Sequence, residues 1–135
     1  MQRTYSLRYM ASPIFMKRYF TIFCLLLVTE IGIAYFHIHD FVRGFLGDVL
    51  VIPLCYTLVR SFTKISIKRT VIYVILFAFT VEFAQFFKIL AFFHIENRFA
   101  QIILGSTFDP ADLLAYLVGI IPILLIEKYR SYGKD

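Results

Sequence analysis

Four apolar runs, separated by short segments that hold charged residues, dominate this sequence. We expect membrane spans at about 19–36, 41–59, 71–93 and 112–126. A bilayer core of roughly 30 Å needs about 20 mostly apolar residues per helix, and helices satisfy their own backbone hydrogen bonds there. The pattern therefore predicts an all-α fold. It is a four-helix transmembrane bundle over 19–126, flanked by basic tails at 1–18 and 127–135.

Composition excludes a soluble domain. Of the 135 residues, 60% are hydrophobic and 19% are aromatic. A soluble domain of this size has too much surface for its volume to bury that fraction. The net charge is +5, but the basic residues fall in tails and short loops and form no stripe interleaved with exposed aromatic residues. We therefore expect no nucleic-acid partner.

The loop charges predict the orientation of the chain. The N-terminal tail, the 60–69 segment and the C-terminal tail hold 4, 4 and 3 Lys and Arg residues, whereas the other two loops with their helix ends hold 1 and 2. The positive-inside rule then places both termini in the cytoplasm. Most acids fall on the opposite side: Glu30, Asp40, Asp48, Glu82, Glu96, Asp109 and Asp112.

In the segment from Asp40 to Pro53, the ionisable residues Asp40, Arg43 and Asp48 lie at the start of an apolar run. Such groups are costly at membrane depth, so they face protein or water and usually serve a function. Arg43 is the nearest candidate partner for the acids. We expect Gly44 and Gly47 to allow close helix approach, and Pro53 to kink its helix.

The third and fourth spans carry a second polar set. Glu82 and Gln85 are three residues apart and share a helix face. Asp109, just before Pro110, is placed to cap the last helix. Asp112 then lies in the first turn, with Tyr116 one turn further on the same face.

The two halves of the chain are faintly alike. In each half, a helix predicted to run towards the outer side carries a Glu, and the next helix, which runs back to the cytoplasm, has an Asp near its start. A parallel repeat would bring Glu30, Asp48, Glu82 and Asp112 around one central cavity.

These patterns predict a polar, mostly acidic cavity on the outer side. The expected ligand-binding residues are Glu30, Asp40, Arg43, Asp48, Glu82, Gln85, Asp109, Asp112 and Tyr116. We predict no catalytic residue, no metal site and no cofactor. His37, His39 and His94 show no metal-motif spacing, and there is no nucleophile elbow.

Three stretches also resemble a known family. Residues 30–62 (EIGIAYFHIHDFVRGFLGDVLVIPLCYTLVRSF), 77–85 (FAFTVEFAQ) and 103–119 (ILGSTFDPADLLAYLVG) are similar to DUF2809, a bacterial family of small membrane proteins of unknown function. The second half more loosely resembles VanZ-like proteins through Glu82, Gln85, Asp109, Asp112 and Gly119, although Tyr116 stands where that pattern has Asn. The resemblance implies a multi-pass protein of the bacterial inner membrane with a role in the cell envelope.

The leading hypothesis is non-enzymatic binding of a membrane lipid or lipid-linked envelope molecule. Arg43 would take an anionic group, while the acids orient Arg43 and accept hydroxyl or amine donors. Three alternatives stay open. They are a proton-coupled transporter in which Glu30 or Glu82 carries the proton, an intramembrane enzyme with Glu82 or Asp112 as general acid or base, and a structural subunit. A protein partner or a homo-oligomer is compatible with all of them.

Overall fold

The computed structural model describes residues 16–36, 39–98 and 108–132, and those residues form helices joined by short turns. The helices are α1 (Lys17–Tyr35), α2 (Asp40–Phe62), α3 (Ile67–Phe86), α4 (Ile89–Phe92), α5 (Pro110–Val118) and α6 (Ile120–Tyr132). No strand occurs in this part of the chain. The all-α prediction is therefore confirmed for the described residues, while most of the 1–18 tail and the end of the C-terminal tail lie outside them.

Three segments are long and apolar enough to cross a membrane: Lys17–Tyr35, Asp40–Phe62 and Pro110–Ser131. The last of these joins α5 and α6. Helix α3 is not among the three, and its 20 residues include Lys68, Arg69 and Glu82. The chain thus has the helices of a membrane protein, and a fourth span over α3 stays a prediction.

Helix α2 lies at the centre of the packing and contacts α1, α3, α5 and α6. Its buried side chains recur at helical spacing along one side: Val49, Ile52, Pro53, Tyr56, Thr57, Arg60 and Ser61. The two small hydroxyls on this side bond within the helix, Thr57 donating to the Pro53 carbonyl at 2.9 Å and Ser61 to the Thr57 carbonyl at 2.7 Å. These internal bonds let a polar helix face pack among apolar neighbours.

Gly119 packs tightly against α2, beside a carbonyl that Pro53 leaves without a helical hydrogen bond. Proline has no N–H, so Pro53 leaves the carbonyl of Val49 without its usual helical hydrogen bond. That carbonyl faces Gly119, where an added Cβ would lie 2.5 Å from the Val49 oxygen and 2.8 Å from Ile52 Cβ. The turn at Gly119 separates α5 from α6, and Pro122 in the next turn cannot donate to the Val118 carbonyl. The bare Gly119 backbone therefore lets the last span pack directly on α2.

Gly44 and Gly47 on α2 are not in contacts as close as that of Gly119. An added Cβ at Gly44 would meet no described residue within 4 Å, so no element in the described part of the chain makes the expected close approach there. At Gly47 an added Cβ would lie 3.5 Å from Glu30 Oε2, which is an ordinary contact distance. Close approach in the described residues therefore depends on Gly119 rather than on the glycines of α2.

The helix ends follow local signals in the sequence. Ser66 caps α3, its hydroxyl accepting from the Arg69 N–H at 3.4 Å. Asp109 caps α5, its Oδ1 accepting from the Ala111 N–H at 2.9 Å ahead of Pro110, as predicted. Helix α3 ends at Phe86, before Lys88, which has a left-handed backbone with φ of 51°. The helix therefore ends before Lys88 and does not run on to Phe93, where the predicted span ends.

The first and last helices meet at one end of the assembly. The Tyr19 hydroxyl on α1 donates to Glu127 Oε1 on α6 at 2.6 Å, and the Met16 N–H donates to the Ser61 carbonyl at 2.9 Å. We call this the basic end, where α1 begins, α2 ends, α3 begins and α6 ends, and the opposite one the acidic end. Both ends of the described chain thus lie on the same side, and the membrane face on which they lie stays a prediction.

Gly119→Ala should destabilise the protein, because its methyl group would overlap a backbone carbonyl that cannot rotate away. Overpacking of this kind costs about 1–3 kcal/mol. Gly44→Ala is the matched control, since its site is open and alanine favours the helix by up to about 1 kcal/mol. Thermal unfolding of the detergent-solubilised protein, followed by circular dichroism, measures both. Equal midpoints for the two variants would contradict the assigned contact.

Candidate functional site

Four carboxyl groups from four helices lie near one another towards the acidic end. They belong to Glu30 on α1, Asp48 on α2, Glu82 on α3 and Asp112 on α5, and we call them the acid cluster. The Asp48 carboxyl lies within hydrogen-bonding reach of Asp112 and within electrostatic range of Glu82 and Glu30. These are the four residues that the internal likeness of the two halves singles out.

Glu82 is the most buried member of the cluster, with 2% of its surface exposed. The buried face of α3 repeats every four residues through Thr70, Val74, Ala78 and Glu82, which points Glu82 at the neighbouring helices. Its Oε1 accepts from the Tyr116 hydroxyl at 2.7 Å, which joins α3 to α5. Its Oε2 is buried and has no hydrogen-bond partner in the described residues.

Glu30 reaches the cluster from α1, the helix that contacts α2 most extensively. One carboxylate oxygen, Oε2, lies against the backbone of Gly47, where no side chain intervenes. The other oxygen, Oε1, is buried and has no hydrogen-bond partner within the described chain. The cluster therefore presents two buried acceptor atoms, Glu30 Oε1 and Glu82 Oε2, that a donor could satisfy.

A small cavity of about 110 Å³ lies beside the cluster, between the first turns of α2 and α5. Its polar lining consists of Asp40, Asp109 and Asp112, and Phe41 and Phe45 supply apolar walls. Asp112 belongs to both the cavity and the acid cluster. Asp40, Asp109 and Asp112, which we predicted as site residues at the starts of the second and fourth spans, thus line one cavity.

The remaining predicted site residues lie apart from the buried carboxyl groups. Arg43 is exposed and makes no ion pair with any described residue, so it does not neutralise the acids as expected. Gln85 is half-buried on α3, almost one turn beyond Glu82. The physical reason is the position of Arg43: it lies in the first turn of α2, where residues 40–44 are all exposed, and the buried residues of this helix begin only at Val49.

The carboxyl groups of the acid cluster can act as hydrogen-bond acceptors and as proton carriers. Carboxylates accept hydrogen bonds from hydroxyl and ammonium groups, and carboxyl groups carry protons. Among residues 16–36, 39–98 and 108–132, no group of three His, Cys, Asp or Glu side chains could hold a metal ion. His37 lies outside those residues. The arrangement thus suits a donor-rich ligand or a proton.

Sequence reasoning missed a second polar site, at the basic end. Tyr19 is completely buried, and two guanidinium groups lie over its ring, with Arg60 Cζ 5.0 Å and Arg130 Cζ 4.4 Å from the ring centroid. Glu127 Oε1 accepts from the hydroxyls of Tyr19 and Tyr56, at 2.6 Å each. These five residues (Tyr19, Tyr56, Arg60, Glu127 and Arg130) form what we call the tyrosine–arginine cluster.

Hydrogen bonds and charge hold the tyrosine–arginine cluster together. Arg60 donates to the Tyr19 hydroxyl at 3.1 Å and to the Ile65 carbonyl, and Arg130 also donates to the Tyr19 hydroxyl. Arg130 pairs with Glu127 at 3.6 Å. One signal could have pointed to this site: Glu127 is an acid at the very end of the last apolar run, where a tail with three basic residues begins. Its partners lie up to 108 residues away in the chain, so no local pattern shows them.

Tyr116→Phe should destabilise the protein, because it removes the hydroxyl that satisfies buried Glu82 Oε1. The expected loss in the free energy of unfolding is about 0.6–1 kcal/mol, the range between the average hydrogen bond in membrane proteins and that in soluble proteins. Tyr73→Phe is the matched control, since Tyr73 is 54% exposed. Thermal unfolding in detergent compares the two variants, and a Tyr116→Phe midpoint equal to that of the control would refute the bond.

Comparison with known proteins identifies the family of the chain. The family model described as a protein of unknown function (DUF2809) matches residues 37–120, which is more than half of the 135 residues. The match includes Asp48, Glu82, Asp112 and Tyr116, whereas Glu30, Tyr19 and Glu127 lie outside it. No curated protein and no solved structure matches the chain. The chain belongs to the DUF2809 family of proteins of unknown function.

Proposed function

We propose that this membrane protein binds the hydroxyl- or amine-bearing headgroup of a lipid or lipid-linked envelope molecule in the acid cluster. The observation that carries the proposal is the pair of buried carboxylate oxygens without partners, Glu30 Oε1 and Glu82 Oε2. A buried acceptor left unsatisfied costs about 1–3 kcal/mol. A ligand that donates to both oxygens removes this cost, which gives the site affinity for donor-rich groups.

The position of the cavity supports entry from the acidic end. Asp112 lines both the cavity and the cluster, and Asp40 and Asp109 line the opening. A headgroup with several hydroxyl or ammonium donors would meet acceptors along this path. Gly44 lines the cavity, and the preceding residue, Arg43, is exposed. Arg43 is therefore available to an anionic group of the same molecule at the entrance of the cavity.

The lipid part of the ligand would lie against the outer surface of the helices. Large apolar side chains are exposed on the helices that carry the cluster, among them Val28, Ile31, Phe83 and Leu114. In a membrane these side chains contact acyl chains rather than water. A ligand anchored by acyl chains thus has an apolar surface close to the acidic opening.

Native mass spectrometry of the detergent-purified protein tests the proposal. We expect the wild-type protein to retain a lipid or headgroup compound, and Glu82→Gln and Asp48→Asn to lose it. Replacing a carboxylate by an amide keeps the shape but removes one acceptor and the charge. Glu96→Gln is the matched control, because Glu96 is exposed and lies outside the cluster; this variant should retain the ligand.

Circular dichroism of each variant separates ligand loss from unfolding. Helical, thermally stable variants that have lost the adduct support binding. A wild-type protein that carries no adduct, together with cluster variants that unfold, would refute the binding site and assign the acids to helix packing.

Proton transfer is the second candidate function, and the closeness of Asp48 and Asp112 favours it. A hydrogen bond between two carboxyl groups requires a proton on one of them. Acidic residues inside membrane proteins commonly form proton relays. The four carboxyl groups of the acid cluster could pass such a proton between helices α1, α2, α3 and α5.

Proteoliposomes that contain a pH-sensitive dye test proton transfer. An imposed pH gradient should decay faster with the wild-type protein than with Asp48→Asn, while Glu96→Gln should match the wild type. Decay equal to that of protein-free liposomes for every sample would exclude uncoupled proton movement through the cluster.

A further inference from the structure

The basic end holds far more positive than negative charge. Its described basic residues are Lys17, Arg18, Arg60, Lys64, Lys68, Arg69, Lys128 and Arg130. Within the described chain, Glu127 is the sole acid at this end. Most of these basic side chains are exposed, but Arg60 and Arg130 belong to the tyrosine–arginine cluster. The positive charge of these two arginines therefore needs a counter-charge within the cluster.

The two guanidinium groups of the cluster are only partly satisfied. Arg60 is 9% exposed, and the Nε atoms of both Arg60 and Arg130 are buried without a hydrogen-bond partner in the described residues. Glu127 Oε1 already accepts from two tyrosine hydroxyls. One carboxylate cannot neutralise two guanidinium groups, and a buried excess charge is costly. The described residues of the cluster therefore hold one more positive than negative charge.

Two cavities meet at Arg130. One, of about 260 Å³, is lined by Arg60, Ile67, Glu127, Arg130 and Ser131. The other, of about 390 Å³, lies between α1 and α6 and is lined by Arg18 and Arg130 with Ile22, Leu125, Ile126 and Tyr129. The second cavity thus has cationic groups beside an apolar wall. This combination matches a molecule with an anionic head and a hydrocarbon chain.

We propose that the basic end is a binding site for an anionic phospholipid. The phosphate would interact with Arg130 and Arg18, and an acyl chain would follow Ile22, Leu125 and Ile126. Guanidinium groups bind phosphate oxygens through paired hydrogen bonds, and basic pockets between membrane helices bind anionic headgroups. A free phosphate shares the charged part of this chemistry, but it would not use the apolar wall. The proposal is independent of the acid cluster.

Titration of the full-length protein in detergent, read by native mass spectrometry, tests the site. The probes are phosphatidylglycerol and phosphatidylcholine with identical acyl chains. We expect phosphatidylglycerol to bind at least about fivefold more tightly, which is the effect of one interaction between a basic residue and an anionic lipid. Arg18→Gln should reduce that affinity about fivefold, and Arg130→Gln should reduce it at least as much.

Arg69→Gln is the matched control. It removes the same charge from the same end, but Arg69 is exposed and lines neither cavity. Its effect on phosphatidylglycerol binding should be less than about twofold, because an exposed charge outside both cavities is screened by salt. Arg18 is also exposed, and its side chain makes no hydrogen bond or ion pair with a described residue. Arg18→Gln therefore tests the site even if Arg130→Gln fails to fold.

Three outcomes would overturn the proposal. Equal binding of the two lipids would show that the anionic head is not recognised. Equal losses in Arg18→Gln and Arg69→Gln would show diffuse attraction to the whole basic end. Displacement of phosphatidylglycerol by millimolar inorganic phosphate or glycerol phosphate, with the same dependence on Arg18, would assign the site to a soluble phosphoryl compound.

Discussion

The packing of the last span against α2 is the contact on which the rest of the structure depends. Pro53 leaves the Val49 carbonyl without a helical partner, and the side-chain-free backbone of Gly119 lies against it. Because the two helices approach so closely there, Asp112 and Tyr116 reach the acid cluster above the contact, and Glu127 reaches the tyrosine–arginine cluster below it. One residue without a side chain thus aligns both polar sites.

The two polar sites have opposite chemistry at opposite ends of the same helices. The acid cluster has carboxyl groups and no paired cation among the described residues, while the tyrosine–arginine cluster has two guanidinium groups and one carboxylate. Each site therefore has ionisable groups that no described counter-ion fully compensates, and an unpaired charge is costly inside an apolar environment. Bound lipids or protons would remove this cost at each end, which is a physical reason for a small membrane protein to keep both.

Local sequence patterns predicted the features that depend on neighbouring residues. The capping of α5 by Asp109 ahead of Pro110 follows from the chemistry of a helix start, and the placement of Tyr116 one turn beyond Asp112 follows from helical periodicity. The likeness of the two halves also picked out the four carboxyl groups of the acid cluster. Local patterns did not predict the surroundings of Arg43 and Gly44, which are both exposed near the start of α2. Whether a residue there faces another helix or the exterior depends on how the helices pack.

The sequence by itself determined that this chain is helical, that its helices are apolar enough to span a membrane, and that it belongs to DUF2809. These properties depend on composition, hydropathy and motifs read along the chain. Only the tertiary structure decided that Glu82 bonds Tyr116, that Gly119 rather than Gly44 permits close approach, and that Tyr19 meets Glu127 across 108 residues. Such contacts depend on the rotation and tilt of each helix, and those are set by side-chain packing against the other helices rather than by any helix alone.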